Sequence, residues 1–304
     1  MNQISVLFLL MGLGFGLAKY KVFSAPTFQQ LTWLLCYIVM PCLILKAFQT
    51  PFSESMLDQF LLMFLTSAGI HLLYIFLSKV LLNRKTIRQS NLVMPMQFTA
   101  VYSNCGFMGI PLVAALMGDA GVFYGSVYIA VNGLFVWTHG VVIYTGKFDR
   151  HSLLKVISNP NTVASLVGIC FFVLSIKLPK PLYSTLGYIA NMNTAISMIV
   201  VGAAMTQIQL RTIWLSGYAW ISVLMRNLLF PFVALLVLLM FGLHGSLLMI
   251  AMVLAACPVA GMSVLFAQLT GKDTSFPCKS LTLSTLASLV TLPIMLSLTA
   301  FWGG

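Results

Sequence analysis

The sequence predicts an all-α membrane protein with ten transmembrane helices in two inverted five-helix repeats. Three observations predict it. The chain of 304 residues is 60% apolar and only 7% charged, whereas a soluble domain carries roughly a quarter charged residues. The apolar residues gather in runs of about 20, the length of a membrane-spanning helix. A short segment also recurs half a chain apart, facing the opposite side of the membrane. The first observation alone excludes a water-facing globular enzyme.

The runs, in order, are 1–18, 28–48, 57–78, 91–116, 121–145, 157–176, 182–208, 213–241, 246–269 and 276–301. The first lacks the basic leader of a signal peptide, and Lys19-Tyr20-Lys21 is no cleavage site, so it reads as a retained helix. Its Gly12, Gly14 and Gly16 do not share one helix face and so form no simple small-residue dimer stripe, though Gly12 and Gly16 alone would fit one; close helix packing is the expected role. The longest polar stretch, Lys79 to Ser90, is twelve residues and leaves no room for a soluble domain. Residues 1–145 form the first half, 146–156 a short cytoplasmic linker and 157–304 the second half. The 18 methionines read as core filler. The six cysteines lie in or beside apolar segments without a CxxC spacing, so neither a disulfide framework nor a metal site is expected. No cofactor is implied.

Charge orients the chain. Alternate loops hold Lys19 and Lys21; Lys79, Arg84, Lys85 and Arg88; Lys147, Arg150 and Lys155; Arg211; and Lys272 and Lys279. The other face holds only Lys46, Lys177 and Lys180. The positive-inside rule makes the richer face cytoplasmic and both termini extracytoplasmic. The net charge of +11 therefore reports topology, and no nucleic-acid partner is expected. On this topology Ala114-Ala115-Leu116-Met117-Gly118 ends outside, and Ala267-Gln268-Leu269-Thr270-Gly271, 153 residues later, ends inside. Each follows a proline-containing span and precedes an aspartate, Asp119 or Asp273. Opposite orientation at matched positions is what an inverted repeat requires.

The fourth span reads Ser103-Asn104-Cys105-Gly106-Phe107-Met108-Gly109-Ile110-Pro111, and the ninth Ala255-Ala256-Cys257-Pro258-Val259-Ala260-Gly261-Met262-Ser263. Proline removes a backbone donor and clashes with the preceding turn, so each helix is expected to break at its proline. Irregular backbone at membrane depth survives only inside protein or beside a water-filled cavity. The free N–H groups that open the second half-helix favour an anion. Ordinary proline kinks explain one such segment; two at matched positions point to a transport site.

These residues resemble a family. Asn104 to Pro111, with Leu112, is similar to the motif of the auxin efflux carriers, a family that includes plant auxin exporters and bacterial malate and malonate permeases. Asn159-Pro160-Asn161-Thr162 leading into Gly168 is a second match. Met40-Pro41, Gly202, Arg226 ahead of Pro231, and Pro258 with Ala267 add weaker similarity along the whole chain. The resemblance implies crossed broken helices four and nine, as in crossed-helix sodium/proton antiporters and bile-acid symporters. It also implies a moving transport domain and a scaffold that forms a homodimer through helices two and seven. The long cytoplasmic loop of plant members is absent. By the resemblance, Asn104 and Asn161 match asparagines that contact the substrate carboxylate. A carboxamide offers two donors without a charge. The plainer roles are satisfying freed carbonyls for Asn104 and capping a helix for Asn161.

The candidate substrate-binding residues are thus Asn104, Gly109, Pro111, Asn161, Pro258 and Ser263. The five acids, Glu54, Asp58, Asp119, Asp149 and Asp273, all lie in loops or at span ends, which argues against a carboxylate-based cation exchanger. His71, His139 and Arg226 lie within spans and are candidates for a charge or proton role. Their plainer roles are neutral histidines bonded between helices and an arginine bound to a neighbouring helix's carbonyls. The sequence reads as a secondary carrier of small organic anions, of elevator type, in the inner (plasma) membrane, its partners the substrate and the lipid bilayer. A sodium-coupled symporter of bile-acid type and a ligand-binding membrane sensor are the alternatives. An intramembrane enzyme lacks a recognisable nucleophile motif.

Overall fold

The structure is a computed structural model and describes residues 2–147, 154, 158–207, 214 and 216–303. Among these all regular structure is helical, apart from one antiparallel bridge between Ser103 and Val259. The elements are α1 (Asn2–Lys19), α2 (Ala25–Ala47), α3 (Glu54–Leu81), α4 (Ser90–Val101) and α5 (Cys105–Thr145). They continue as α6 (Pro160–Val173), α7 (Lys180–Ala204), α8 (Gly217–Met240), α9 (Gly245–Ala255), α10 (Met262–Leu269) and α11 (Ser275–Gly303). Most of the linker 146–156, with Arg150 and Lys155, lies outside the described residues, as does Arg211.

Six helices among the described residues, α2, α3, α5, α7, α8 and α11, are long and apolar enough to cross a membrane. On α3, Leu61, Leu65, Leu72, Phe76 and Val80 are all more than half exposed. They recur at helical spacing, so the face they share is apolar, and lipid rather than water is its matching solvent. Every expected apolar run carries helix. The fourth and ninth runs are each interrupted, as expected, but the fourth break is not where its proline stands.

That break falls at Tyr102–Asn104, where Tyr102 is extended (φ −99°, ψ 119°), well before Pro111. Between them Cys105–Gly109 form a wide π turn, and Pro111 follows at the start of regular helix. Pro41 and Pro231 are handled alike, behind the π turns Leu35–Val39 and Met225–Leu229. There the N–H of Met40 bonds to Leu35 O and that of Phe230 to Met225 O, five residues back instead of four. A proline ring clashes with the carbonyl four residues behind it. The wider π register moves that carbonyl aside, so these three helices absorb their prolines without breaking. Pro258, by contrast, lies within the break between α9 and α10.

α5 is divided at Gly118 (φ 62°, ψ −153°), a conformation open only to glycine. Gly271, just past α10, has the same φ of 62°. These are the last residues of the two five-residue segments that recur along the chain.

The chain folds into two compact units, each drawing on both halves of the sequence. One comprises Met1–Phe64, Gly106–Ala130 and Leu154–Gln207. In it α1 lies against α7, and the second part of α2 against α6 and α7. Gly14 meets the backbone of Ile199 and Gly202 meets that of Met11, so neither site has room for a Cβ. Gly12 and Gly16 face open space. Leu35, Val39 and Met40 pack with Phe107, Ile129, Ile189 and Ile196. The other unit comprises Leu65–Cys105, Val131–Leu153 and Ile208–Gly304. In it α9 is almost wholly buried, and α8, α9 and α4 all pack on α11.

Candidate functional site

In the second unit the two broken stretches pair. The Asn104 N–H donates to Pro258 O at 2.7 Å, and the Ala260 N–H to Tyr102 O at 3.0 Å. The Val259 N–H donates to the Ser284 hydroxyl at 3.0 Å. The Ser103 hydroxyl donates to Leu254 O at 3.0 Å. Extended backbone thus meets extended backbone, and each break satisfies the other's peptide groups. The N–H groups of Val259 and Ala260 were expected to be free for a ligand; they are spent in this pairing.

Arg226 is fully buried beside the pair. Its Nη1 donates to the carbonyls of Ala100 (3.1 Å) and Val101 (2.9 Å), at the end of α4. Its Nε donates to Cys257 O (3.1 Å), and its Nη2 to Ala255 O, at the end of α9. The guanidinium also lies 5.1 Å from the centre of the Tyr74 ring. A helix C-terminus carries about half a negative charge, so two such ends roughly balance one guanidinium. Arg226 thus binds carbonyls at the ends of both interrupted helices. The carboxamide of Asn104, in a residue 8% exposed, makes no hydrogen bond among the described residues.

α10 then opens with Gly261 and Met262, whose N–H groups precede the first intrahelical bond, that of Ser263 to Ala260 O. Ser263 is fully buried, and its hydroxyl donates to Ala260 O at 2.8 Å. Its carbonyl accepts from the Tyr144 hydroxyl at 3.0 Å. The second unit thus brings together Asn104, Pro258, Ser263 and Arg226. Gly109, Pro111 and Asn161 belong to the first unit.

Asn161 does not cap its own helix. Asn159 does, its side chain accepting the Asn161 N–H at 3.0 Å. The Asn161 carboxamide is left with a buried oxygen that has no partner.

Both histidines are held. His71 Nδ1 donates to Ser67 O at 2.7 Å, its Nε2 meets the Asn132 carboxamide at 3.0 Å, and its ring stacks on Phe135 at 5.2 Å. The Tyr102 hydroxyl donates to Phe135 O, leaving its oxygen to accept from His139 Nδ1 at 2.9 Å. Each imidazole bonds between helices of its own unit. Of the acids, Glu54 and Asp58 sit in the first turns of α3. Asp119 pairs with Lys46 at 2.9 Å. Asp273 lies ahead of α11, where the Ser275 hydroxyl and N–H hold its carboxyl below the usual range. Asp149 lies outside the described residues.

Sequence reasoning passed over Asn227 and Ser284. Asn227, fully buried on α8, donates to Ser284 O (2.9 Å) and Thr291 Oγ1 (3.2 Å) and accepts from the Ser284 hydroxyl (2.6 Å). They brace the ninth-helix break from α11. The available signal was the polar residues Asn227, Ser280, Thr282, Ser284 and Ser288 inside apolar runs.

Membrane-length helices, an apolar outer face and a buried cation at two paired breaks define a multi-pass membrane protein. The sequence model of a family described as membrane transport protein matches residues 1–150 and again 145–296, and the chain belongs to this family, that of the auxin efflux carriers. It is a family of transporters, not of enzymes. No curated protein matches the chain.

Proposed function

We propose that the protein carries small organic anions across the inner (plasma) membrane by alternating access, with a carboxylate held where the broken stretches meet. The observation that supports this reading is the division of charge at the breaks. The carbonyl ends of α4 and α9 are neutralised by Arg226. The amide end that opens α10 keeps its partial positive charge, the Asn104 carboxamide makes no hydrogen bond among the described residues, and of the described carboxylates Glu54 and Asp58 sit in the first turns of α3 while Asp119 is paired with Lys46. An uncompensated set of donors matches an anion.

Ten spans in two inverted halves remain the topology of this reading, supported by the shared φ of Gly118 and Gly271. Division into two compact units supports a mechanism in which one body moves, the elevator type. A homodimer through helices two and seven is part of the same reading. The exposed, stacked Trp33 and Tyr37 of α2 favour it, 5.2 Å apart at 14°.

Uptake of a radiolabelled carboxylate panel, including malate, malonate and an indole acid, into proteoliposomes tests the function. Saturable uptake of at least one acid without a sodium gradient is expected. A strict sodium requirement would favour the symporter, and specific binding without uptake the sensor.

A further inference from the structure

A cavity of about 220 Å³ lies within the first unit. Leu43 and Lys46 of α2, Gly118 and Asp119 of α5, and Asn193 and Thr194 of α7 line it. At about 30 Å³ of liquid per water, it has room for roughly seven waters or a ligand of similar bulk.

Asn193 sets its chemistry. The residue is 1% exposed, and neither its Nδ2 nor its Oδ1 has a partner. Buried carboxamides in native proteins are nearly always bonded, so a group with both ends open points to a missing partner. Turning the carboxamide towards the cavity breaks no hydrogen bond. Lys46 and Asp119 add no net charge: Nζ lies 3.0 and 2.9 Å from the two carboxylate oxygens. Exposure rises from Asn193 through Lys46 (19%) to Asp119 (52%), which sets the ion pair outward of the amide.

We propose that this cavity binds a small neutral molecule through a planar edge that pairs one donor with one acceptor. An undissociated carboxylic acid and a primary carboxamide share that edge. Each accepts from Asn193 Nδ2–H and donates to Oδ1. An ionised carboxylate does not fit, because it has no proton for Oδ1 and the ion pair leaves no net positive charge to attract it. None of its lining residues belongs to the proposed carrier site, on which it does not depend.

The test titrates propionamide and propionic acid into the purified full-length protein carrying Asn104→Ala and Asn161→Ala, which removes the proposed carrier site. Binding is followed by side-chain amide NMR of ¹⁵N-asparagine-labelled protein and by calorimetry. Measurements are made at about pH 4.5 and about pH 7.5, either side of most ionisation of a simple carboxyl. Propionamide is expected to bind at both values and propionic acid only at the lower. Binding of the amide alone identifies the occupant as an amide, and of the acid alone, at low pH, as an undissociated acid. Asn193→Leu, of similar volume, should weaken either by at least tenfold and raise the melting temperature of the ligand-free protein. Should that variant not fold, the Asn193 side-chain resonance of the parent protein must shift on titration. Unchanged affinity in a folded Asn193→Leu protein, an unmoved resonance, or a cavity that takes up water only would overturn the proposal.

Discussion

Arg226 shows how a charge inside a membrane protein is made tolerable. It sits on a π turn of α8, fully buried, and spends its donors on four carbonyls that two helix breaks would leave bare. A buried carbonyl without a partner costs about 1–3 kcal/mol. Lysine would keep the charge, but its three donors form a point and not a fork. Arg226→Lys is therefore expected to lower stability by about 1–3 kcal/mol, and Arg226→Met by more, in thermal denaturation of the purified protein. An arginine that served only to attract the substrate would give an Arg226→Lys protein of unchanged melting temperature. That Arg226 is charged and intramembrane was legible in the sequence. Its role was not, because its carbonyl partners lie 29 to 126 residues away along the chain.

Among the elements, α1 and α7 meet through single glycines. Gly14 faces the Ile199 backbone, and Gly202 the Met11 backbone. A methyl group at either place has nowhere to go, and overpacking of this kind costs about 1–3 kcal/mol. Gly14→Ala and Gly202→Ala should each lower the melting temperature. Gly12→Ala and Gly16→Ala should leave it unchanged or raise it, since helix propensity favours Ala by up to about 1 kcal/mol. The reverse ranking would contradict the packing described. Three closely spaced glycines marked this helix as close-packed, but their spacing does not say which of them a neighbour meets. The breaks were legible in the same partial way. Helix existence followed from the lipid's demand that backbone groups be satisfied, and Gly- and Pro-rich segments marked the interruptions. The site of the fourth break was not readable: a proline can be absorbed by a π turn, as at Pro41, Pro111 and Pro231. The same limit applied at Asn161, where the capping role belongs to Asn159.

For the whole molecule, the charge asymmetry between loops predicts an orientation. A cysteine introduced near Arg84 in a cysteine-free background should react with an impermeant reagent only from the cytoplasm, and one near Gly118 only from outside. The opposite pattern would overturn the orientation and, with it, the inverted repeat. A carboxylate is proposed to be held by amides the protein leaves unengaged, and the decisive measurement is substrate affinity, taken together with melting temperature, on Asn104→Ala and Asn161→Ala. A hydrogen bond to a charged group contributes about 1.5–3 kcal/mol, and each 1.4 kcal/mol is tenfold in affinity. Each substitution should therefore weaken carboxylate binding by about ten- to a hundredfold. Neither should unfold the protein, because both side chains lack full sets of protein partners. Unchanged affinity in both well-folded variants would contradict the account and remove the carboxylate from the site proposed for it.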